Sequence, residues 1–354
     1  MEDRKRIVFI VNPISGTTGK NLVLKLIDMH LDKSKYEYDI VKTEYVGHAT
    51  EIAKSAAEHS VDIVCAIGGD GTVNETACGL IHTKTALAII PHGSGNGLAR
   101  HLHIPLDPFL AISMINRGNI LDMDYGLVNG RPFFCTCGVG FDAFISQKFA
   151  ESSRRGPLSY IENVLNNSLQ YNPQTYEISI VNTKDGEETS QTYNAFLISC
   201  ANASQYGNNA YIAPMASVRD GVMDVTIIEP FTAIEAPQIA IQLFNGTIEK
   251  NSRIKTFQCE KVVIKRAEEG VIHYDGDPIE ADKDVTVEII PNGLLCVSPD
   301  KEGVQEFGEN FQMFFTEHFK NMYAKSEELI QGNIIKNQRI TKLNLDIIRK
   351  LSKK

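Results

Sequence analysis

Gly68-Gly69-Asp70-Gly71-Thr72-Val73-Asn74-Glu75 sets three glycines around one acid, directly after the apolar run at residues 61–67. Glycine admits positive φ and lets a ligand approach the main chain closely. A strand, a glycine turn and a helix in that order leave unpaired N–H groups at the positive helix end, which suits phosphate. Asp70 would repel bare phosphate, so its place in the turn points to Mg2+ between carboxylate and phosphate oxygens. A glycine-rich turn capped by an aspartate is the plainer reading of this cluster alone. It does not stand alone. Asn12-Pro13-Ile14-Ser15-Gly16 follows the first apolar run, and Pro91-His92-Gly93-Ser94-Gly95-Asn96-Gly97 follows residues 86–90. Three such turns would line up at one edge of a parallel sheet, where such sheets bind ligands.

The elements that must position these turns are legible in order. A strand at residues 6–11 ends at Asn12-Pro13, because proline fixes φ and removes a donor. A helix over about residues 21–31 would place Leu22, Leu26 and Ile27 on one face. Lys20 follows a glycine, but the GxxxxGK[ST] spacing is absent, which excludes a Walker-type loop. A second strand at 36–42 and a helix at about 49–59 lead back to the strand before Gly68. This strand–helix rhythm implies right-handed crossovers and a parallel sheet covered on both faces.

From Ile120 the texture changes to short β-rich runs at 131–137, 175–182, 193–201, 222–229, 262–266, 285–290 and 294–298. Asp185-Gly186, Asp220-Gly221 and Asn292-Gly293 read as turns between some of them. The expected fold class is therefore α/β plus all-β. It comprises an N-terminal nucleotide-binding domain at 1–125, a β-sandwich domain at 126–300 and a helical, basic extension at 301–354.

Composition bounds the partners. The chain has 354 residues, 43% apolar and 22% charged, with net charge −9, which is ordinary for a globular protein of two domains. The last 24 residues carry +6 of their own, leaving an acidic body that argues against nucleic acid. No apolar run reaches the roughly 20 residues that span a bilayer. The seven cysteines form no CxxC pair and read as reduced core residues of a cytoplasmic protein.

Together the three turns make the sequence resemble the diacylglycerol kinase catalytic family, which includes sphingosine and ceramide kinases and soluble bacterial lipid kinases. The resemblance spans roughly residues 5 to 299. It implies ATP held by Asn12, Pro13, Ser15, Gly16, Thr43, Gly68, Gly69, Asp70, Gly71, Thr72, Asn74, Glu75, Gly93, Ser94 and Asn96. Ser94 stands where the family usually has Thr, and Asp70 would lie near Mg2+. Asp122-Met123-Asp124-Tyr125-Gly126 fits the family's Asp-x-Gly and selects Asp124 for the acceptor or metal network. Gly140-Phe141-Asp142-Ala143 also fits. The loop around Asp220 resembles one that holds a structural Mg2+ through an Asp side chain and two carbonyls, here Ser217 and Val222. Bacterial relatives carry a Glu as general base where this sequence has Asp277, in Tyr274-Asp275-Gly276-Asp277. Asp is one methylene shorter, yet either carboxylate can take a proton in a dry cleft. Each acid pair also reads as a plain turn.

The reading is an ATP- and Mg2+-dependent kinase for a lipid hydroxyl, working as a peripheral protein at a membrane surface. A nicotinamide-dinucleotide kinase of the same superfamily and a lipid-binding protein without turnover are the alternatives. Adjacent Arg154 and Arg155 could hold phosphate. Phe307, Phe311, Phe315, Phe319 and Tyr323 form one apolar helical face, suited to packing on the body, to a homodimer or to lipid.

Overall fold

The computed structural model describes residues 4–13, 19–151, 171–181 and 188–299. Ser15, Gly16, the Arg154-Arg155 pair and the tail expectations for residues 301–354 lie outside these.

Four parallel strands, β1 (Lys5–Val11), β2 (Tyr36–Lys42), β3 (Ile63–Gly68) and β4 (Ala86–Pro91), run in the order β2-β1-β3-β4. β3 and β4 are buried along their whole length, as continuous apolar runs in a covered parallel sheet should be. The crossovers are α1 (Lys20–His30), α2 (His48–Glu58) and α3 (Asp70–Leu80), followed by α4 (Gly97–His101) and α5 (Pro108–Arg117). In α1 the buried residues are Val23 and Ile27, one turn apart, while Leu22 is exposed; the buried stripe is rotated from the one read off the sequence. α5 starts at Asp107, whose side chain accepts from Leu110 N–H, with proline next; it ends at Gly118, where φ is +70°.

Twelve further strands follow: β5 (Ile120–Val128), β6 (Arg131–Phe133), β7 (Thr136–Gly140), β8 (Gln174–Val181), β9 (Glu188–Ala195), β10 (Leu197–Ala201), β11 (Met223–Ile228), β12 (Ile254–Cys259), β13 (Lys261–Arg266), β14 (Gly270–Tyr274), β15 (Asp277–Ala281) and β16 (Asp284–Val297). β16 pairs with β4 at Cys296–Leu87, with β5 and with β13, so the parallel strands continue into an antiparallel set ending at β8 and β9. A second, six-stranded antiparallel sheet has the order β12-β11-β10-β7-β14-β15. α6 (Phe141–Glu151) leaves β7, and α7 (Ala236–Phe244) precedes β12.

Three strand readings need correction. Residues 131–137 form β6 and the start of β7, which belong to different sheets. Residues 193–201 form the end of β9 and all of β10, which belong to different sheets. Asn292-Gly293 is an irregularity inside β16 rather than a turn between strands; pairing with β5 shifts between Ile290 and Leu294, and Asn292 has φ +51°.

Three cores result. Phe9, Ile67, Leu80, Leu87 and Ile90 fill the parallel half. Val139, Ile198, Val225, Ile264 and Val287 pack between the two sheets. Phe141, Ile145, Phe196, Leu197 and Ile212 cover the outer face of the second sheet. All seven cysteines are free, and all but Cys78 are buried.

Candidate active site

The second and third glycine turns, and the start of the first at Asn12-Pro13, leave the sheet side by side because their strands are parallel neighbours in register. Val11 lies opposite Ile67, and Gly68 opposite Pro91. Hydrogen bonds stitch the turns together. Asn12 N–H donates to Ile67 O (3.3 Å), Asn12 Nδ2 to Thr72 Oγ1 (3.2 Å), and His92 N–H to Gly68 O (2.8 Å). Thr43, at the end of β2, is buried and donates its N–H to Val11 O (2.9 Å). Pro13 and Ser94 are exposed.

Gly69 and Gly93 are required by contact. A Cβ on Gly93 would lie 2.5 Å from Gly69 Cα, and one on Gly69 would lie 3.2 Å from Gly93 Cα. Gly71, in contrast, has nothing within 4 Å of its missing Cβ, which leaves that side of the turn open to a ligand. Gly93→Ala should therefore force the second and third turns apart and lower stability by about 1–3 kcal/mol, read as a lower denaturation midpoint. An unchanged midpoint would mean that the turns separate freely.

Asp70 opens α3 but reaches across to cap α4. Its Oδ2 accepts from Asn96 N–H (2.9 Å) and its Oδ1 from Gly97 N–H (2.6 Å). Asn96 itself sits at φ +52° and closes the third turn, its Oδ1 accepting from Gly93 N–H (3.0 Å) and its Nδ2 donating to Gly93 O (2.9 Å). Burial pushes the Asp70 acid up, the two N–H donors draw it down, and the Asp275 charge adds to the rise.

Asn74 and Glu75 turn away from the glycines. Glu75 Oε2 accepts from Ala49 N–H (3.3 Å) in the first turn of α2, where a negative charge meets the helix dipole. Asn74 Nδ2 donates to Asp275 Oδ2 (2.9 Å). The same carboxylate accepts three main-chain N–H groups: Phe134 (2.8 Å), Cys135 (2.7 Å) and Thr136 (3.1 Å). Asp275 and Gly276, at φ +46° and +90°, make the tight turn from β14 to β15, and Asp277 is the first residue after it. Asp277 keeps an exposed face, yet its acid is pushed up by burial first and then by Asp275, Glu75 and Asp70, with His273 opposing. The Asn74–Asp275 bond, between residues 201 apart in sequence, thus sets the hairpin carrying Asp275 and Asp277 against the helix carrying Asp70 and Glu75.

Asp124 belongs to a neighbouring set. Its side chain is 1% exposed; Oδ2 accepts from Gly221 N–H (2.8 Å) and Oδ1 from Asn292 N–H (2.8 Å), while its own N–H donates to Val218 O (2.7 Å). The carboxylate therefore pins the loop holding Ser217, Asp220 and Val222 onto β5. Buried Asn202 links the two sets, donating from Nδ2 to Asp124 O and to Phe134 O, each at 3.0 Å. Asp220 is exposed and accepts from Val222 N–H at 3.3 Å. Among the described residues no group of three His, Cys, Asp or Glu side chains is placed to hold a metal, so Asp220 would need main-chain carbonyls as co-ligands.

Sequence reasoning missed Asp275, passed over as a turn residue, and Asn202. It also missed a buried pair, His273 Nε2 to Asp142 Oδ2 (3.0 Å), to which Tyr206 OH donates at 3.2 Å. Tyr206 O lies 3.3 Å from where a Gly97 Cβ would be, so this residue runs from the third glycine turn to β14. A second acid within Tyr274-Asp275-Gly276-Asp277 was the available signal for Asp275; Gly140-Phe141-Asp142-Ala143 marked Asp142 without its partner, and nothing local marks Asn202, Tyr206 or His273.

Comparison with known proteins agrees with this geometry. Residues 6–128 match the diacylglycerol kinase catalytic domain, and residues 135–298 match the YegS C-terminal NAD kinase beta sandwich-like domain. A diacylglycerol kinase of Bacillus subtilis is 28% identical over 77% of this chain and 90% of its own. One from Staphylococcus saprophyticus is 27% identical over 77% of this chain and 89% of its own. The fold is shared with a solved Bacillus anthracis diacylglycerol kinase, with TM-score 0.62 and 20% identity over 86% of this chain and all of that one. A parallel sheet with glycine turns, continued into an antiparallel sandwich that supplies acids, defines a lipid kinase. The two matched domains run in sequence from residue 6 to 298, and the chain belongs to the diacylglycerol kinase catalytic family.

Proposed function

We propose that the protein transfers the γ-phosphoryl group of Mg-ATP to a lipid hydroxyl of diacylglycerol, a sphingoid base or ceramide. The observation that carries this reading is the 2.9 Å hydrogen bond from Asn74 Nδ2 to Asp275 Oδ2, which sets the hairpin that carries Asp277 beside the helix that begins at Asp70. The residues present suit the nucleotide and the cation: Gly71 leaves main chain open to an anion, and Asp70 offers hard oxygen ligands. Mg-ATP, when bound, supplies the phosphoryl group and a divalent charge that offsets its oxygens. Main-chain N–H groups of the second and third turns would hold the phosphates, and Asp70 would offer carboxylate oxygen to the cation. Asp277 takes the proton from the acceptor hydroxyl, its acid raised by burial and by Asp275, Glu75 and Asp70, which makes the carboxylate a stronger base. Asp124 positions the 217–222 loop, where Asp220 with the Ser217 and Val222 carbonyls is a second, structural Mg2+ site.

In this reading residues 1–125 serve the nucleotide, 126–300 the acceptor and 301–354 form an extension. The protein meets its lipid at a membrane surface from the cytoplasm; among the described residues no helix is long and apolar enough to cross one. The test is purified protein with Mg-ATP and dioleoylglycerol, sphingosine or a short-chain ceramide in mixed micelles, with mass analysis of products. Phosphorylation of one of them is expected. ADP release with none of them, or turnover of NAD alone, would overturn the proposal.

A further inference from the structure

Asp275 has no place in the chemistry just described, yet it makes more hydrogen bonds than any other acid of the site. Its carboxylate accepts from Asn74 Nδ2 and from the N–H groups of Phe134, Cys135 and Thr136. All four partners are donors and favour the carboxylate, opposing the burial that raises this acid above its ordinary value. Three donors sit just before and at the start of β7, on the acceptor side; the fourth is on α3, whose first turn carries Asp70 and Gly71. Asp277 follows two residues later, across a turn fixed by positive φ at Asp275 and Gly276. No other described side-chain hydrogen bond joins α3 to this hairpin.

We propose that Asp275 is a positioning residue that locks the acceptor hairpin to the nucleotide helix, so that Asp277 and the second glycine turn keep one fixed separation. The role deepens the kinase reading above and rests on it. The physical case is distance discipline. A charge-assisted hydrogen bond is short and directional, and a displacement of about 1 Å between reacting groups costs on the order of 100-fold in rate. Pairing to β7, the Arg266 bonds to Gly270 O, Val271 O and Ala281 O, and the His273–Asp142 pair hold the hairpin to the sandwich; the Asn74 bond is what holds it to α3.

Asp275→Asn keeps the size but places an NH2 against an N–H donor. With the panel lipid that the wild type turns over, kcat should fall about 10- to 100-fold while KM for ATP stays within about threefold. The charged groups facing Asp277 are Asp275, Glu75, Asp70 and His273. Removing one negative neighbour should also move the acid limb of kcat to lower pH, which a purely structural loss would not do. Asn74→Ala cuts the cross-link, together with the 3.6 Å bond from Cys78 Sγ to Asn74 Oδ1 within α3, and leaves the three main-chain bonds. It should lower kcat in the same direction. Wild-type kcat in a folded Asp275→Asn protein, or a raised ATP Kd with unchanged kcat in Asn74→Ala, would overturn the proposal. Hydrogen exchange separates this outcome from failure of the kinase reading itself. If no lipid is turned over by the wild type, faster exchange in both residues 134–136 and residues 70–80 of Asn74→Ala still supports the lock. Unchanged exchange at both segments overturns it.

Discussion

Asp277→Asn should lower kcat for the lipid acceptor by about 10²- to 10⁴-fold, the usual contribution of a positioned general base, while Mg-ATP binding changes little. Asp277 begins β15, outside all three glycine turns, so its loss leaves the phosphate cradle intact. The pH dependence provides a second check with a fixed sign. A base works only when deprotonated, and this acid lies above its ordinary value through burial and the charges of Asp275, Glu75 and Asp70. Wild-type kcat should therefore fall on the acid side with an inflection above the ordinary Asp value of about 3.9. In Asp277→Asn that limb should vanish. Asp277→Glu tests reach: a longer acid at the same turn should keep most of the activity if the acceptor oxygen can adjust by about one methylene. Near-normal kcat in Asp277→Asn, with the acid limb preserved, would assign proton removal to another group.

The division between what was and was not legible follows the range of the forces. The glycine turns could be read because strand, turn and helix are each local, and a parallel order of β1, β3 and β4 then brings the turns together without further information. The strand break at Phe196 could not be read. Residues 193–201 read as one continuous run despite the weak β-formers Asn194 and Ala195, and the packing of the two sheets decides that β9 and β10 part company there. Asn292-Gly293 has the composition of a hairpin turn, yet β5 pairs on both sides of it and carries β16 through as one strand. Asp275 looked like a turn former because its four partners lie about 140 and 200 residues away. Asp124 illustrates a subtler case. The Asp-x-Gly pattern picks it out, but the carboxylate accepts two main-chain N–H groups, and its link to the acceptor hairpin passes through Asn202 and Phe134. Pattern marks the residue; partners define its work.

Asp70→Asn should reduce both stability and turnover, for separable reasons. Each carboxylate oxygen accepts a main-chain N–H, from Asn96 and from Gly97. An asparagine can satisfy one of these and must set its NH2 against the other, leaving a half-buried donor unpaired at a cost of about 1–3 kcal/mol. The denaturation midpoint should fall accordingly, and the third turn should loosen, because Asn96 is held there by the Asp70 bond and by its own bonds to Gly93. The second loss is of charge. If Asp70 faces the cation, removing its charge withdraws preorganised stabilisation of the transferring phosphoryl group, worth about 10²- to 10³-fold in kcat, and raises the Mg2+ concentration needed for half-maximal rate. A neutral residue 70 also removes one of the three negative groups acting on Asp277, so the acid limb of whatever activity remains should move to lower pH. Titrating Mg2+ against rate separates the two losses. A variant with a lowered midpoint but wild-type Mg2+ dependence and kcat would leave Asp70 as the cap of α4 and nothing more. A shifted Mg2+ dependence at full structural integrity would place the cation beside it, because a cap lost from α4 alone cannot change the concentration at which a divalent ion saturates the rate.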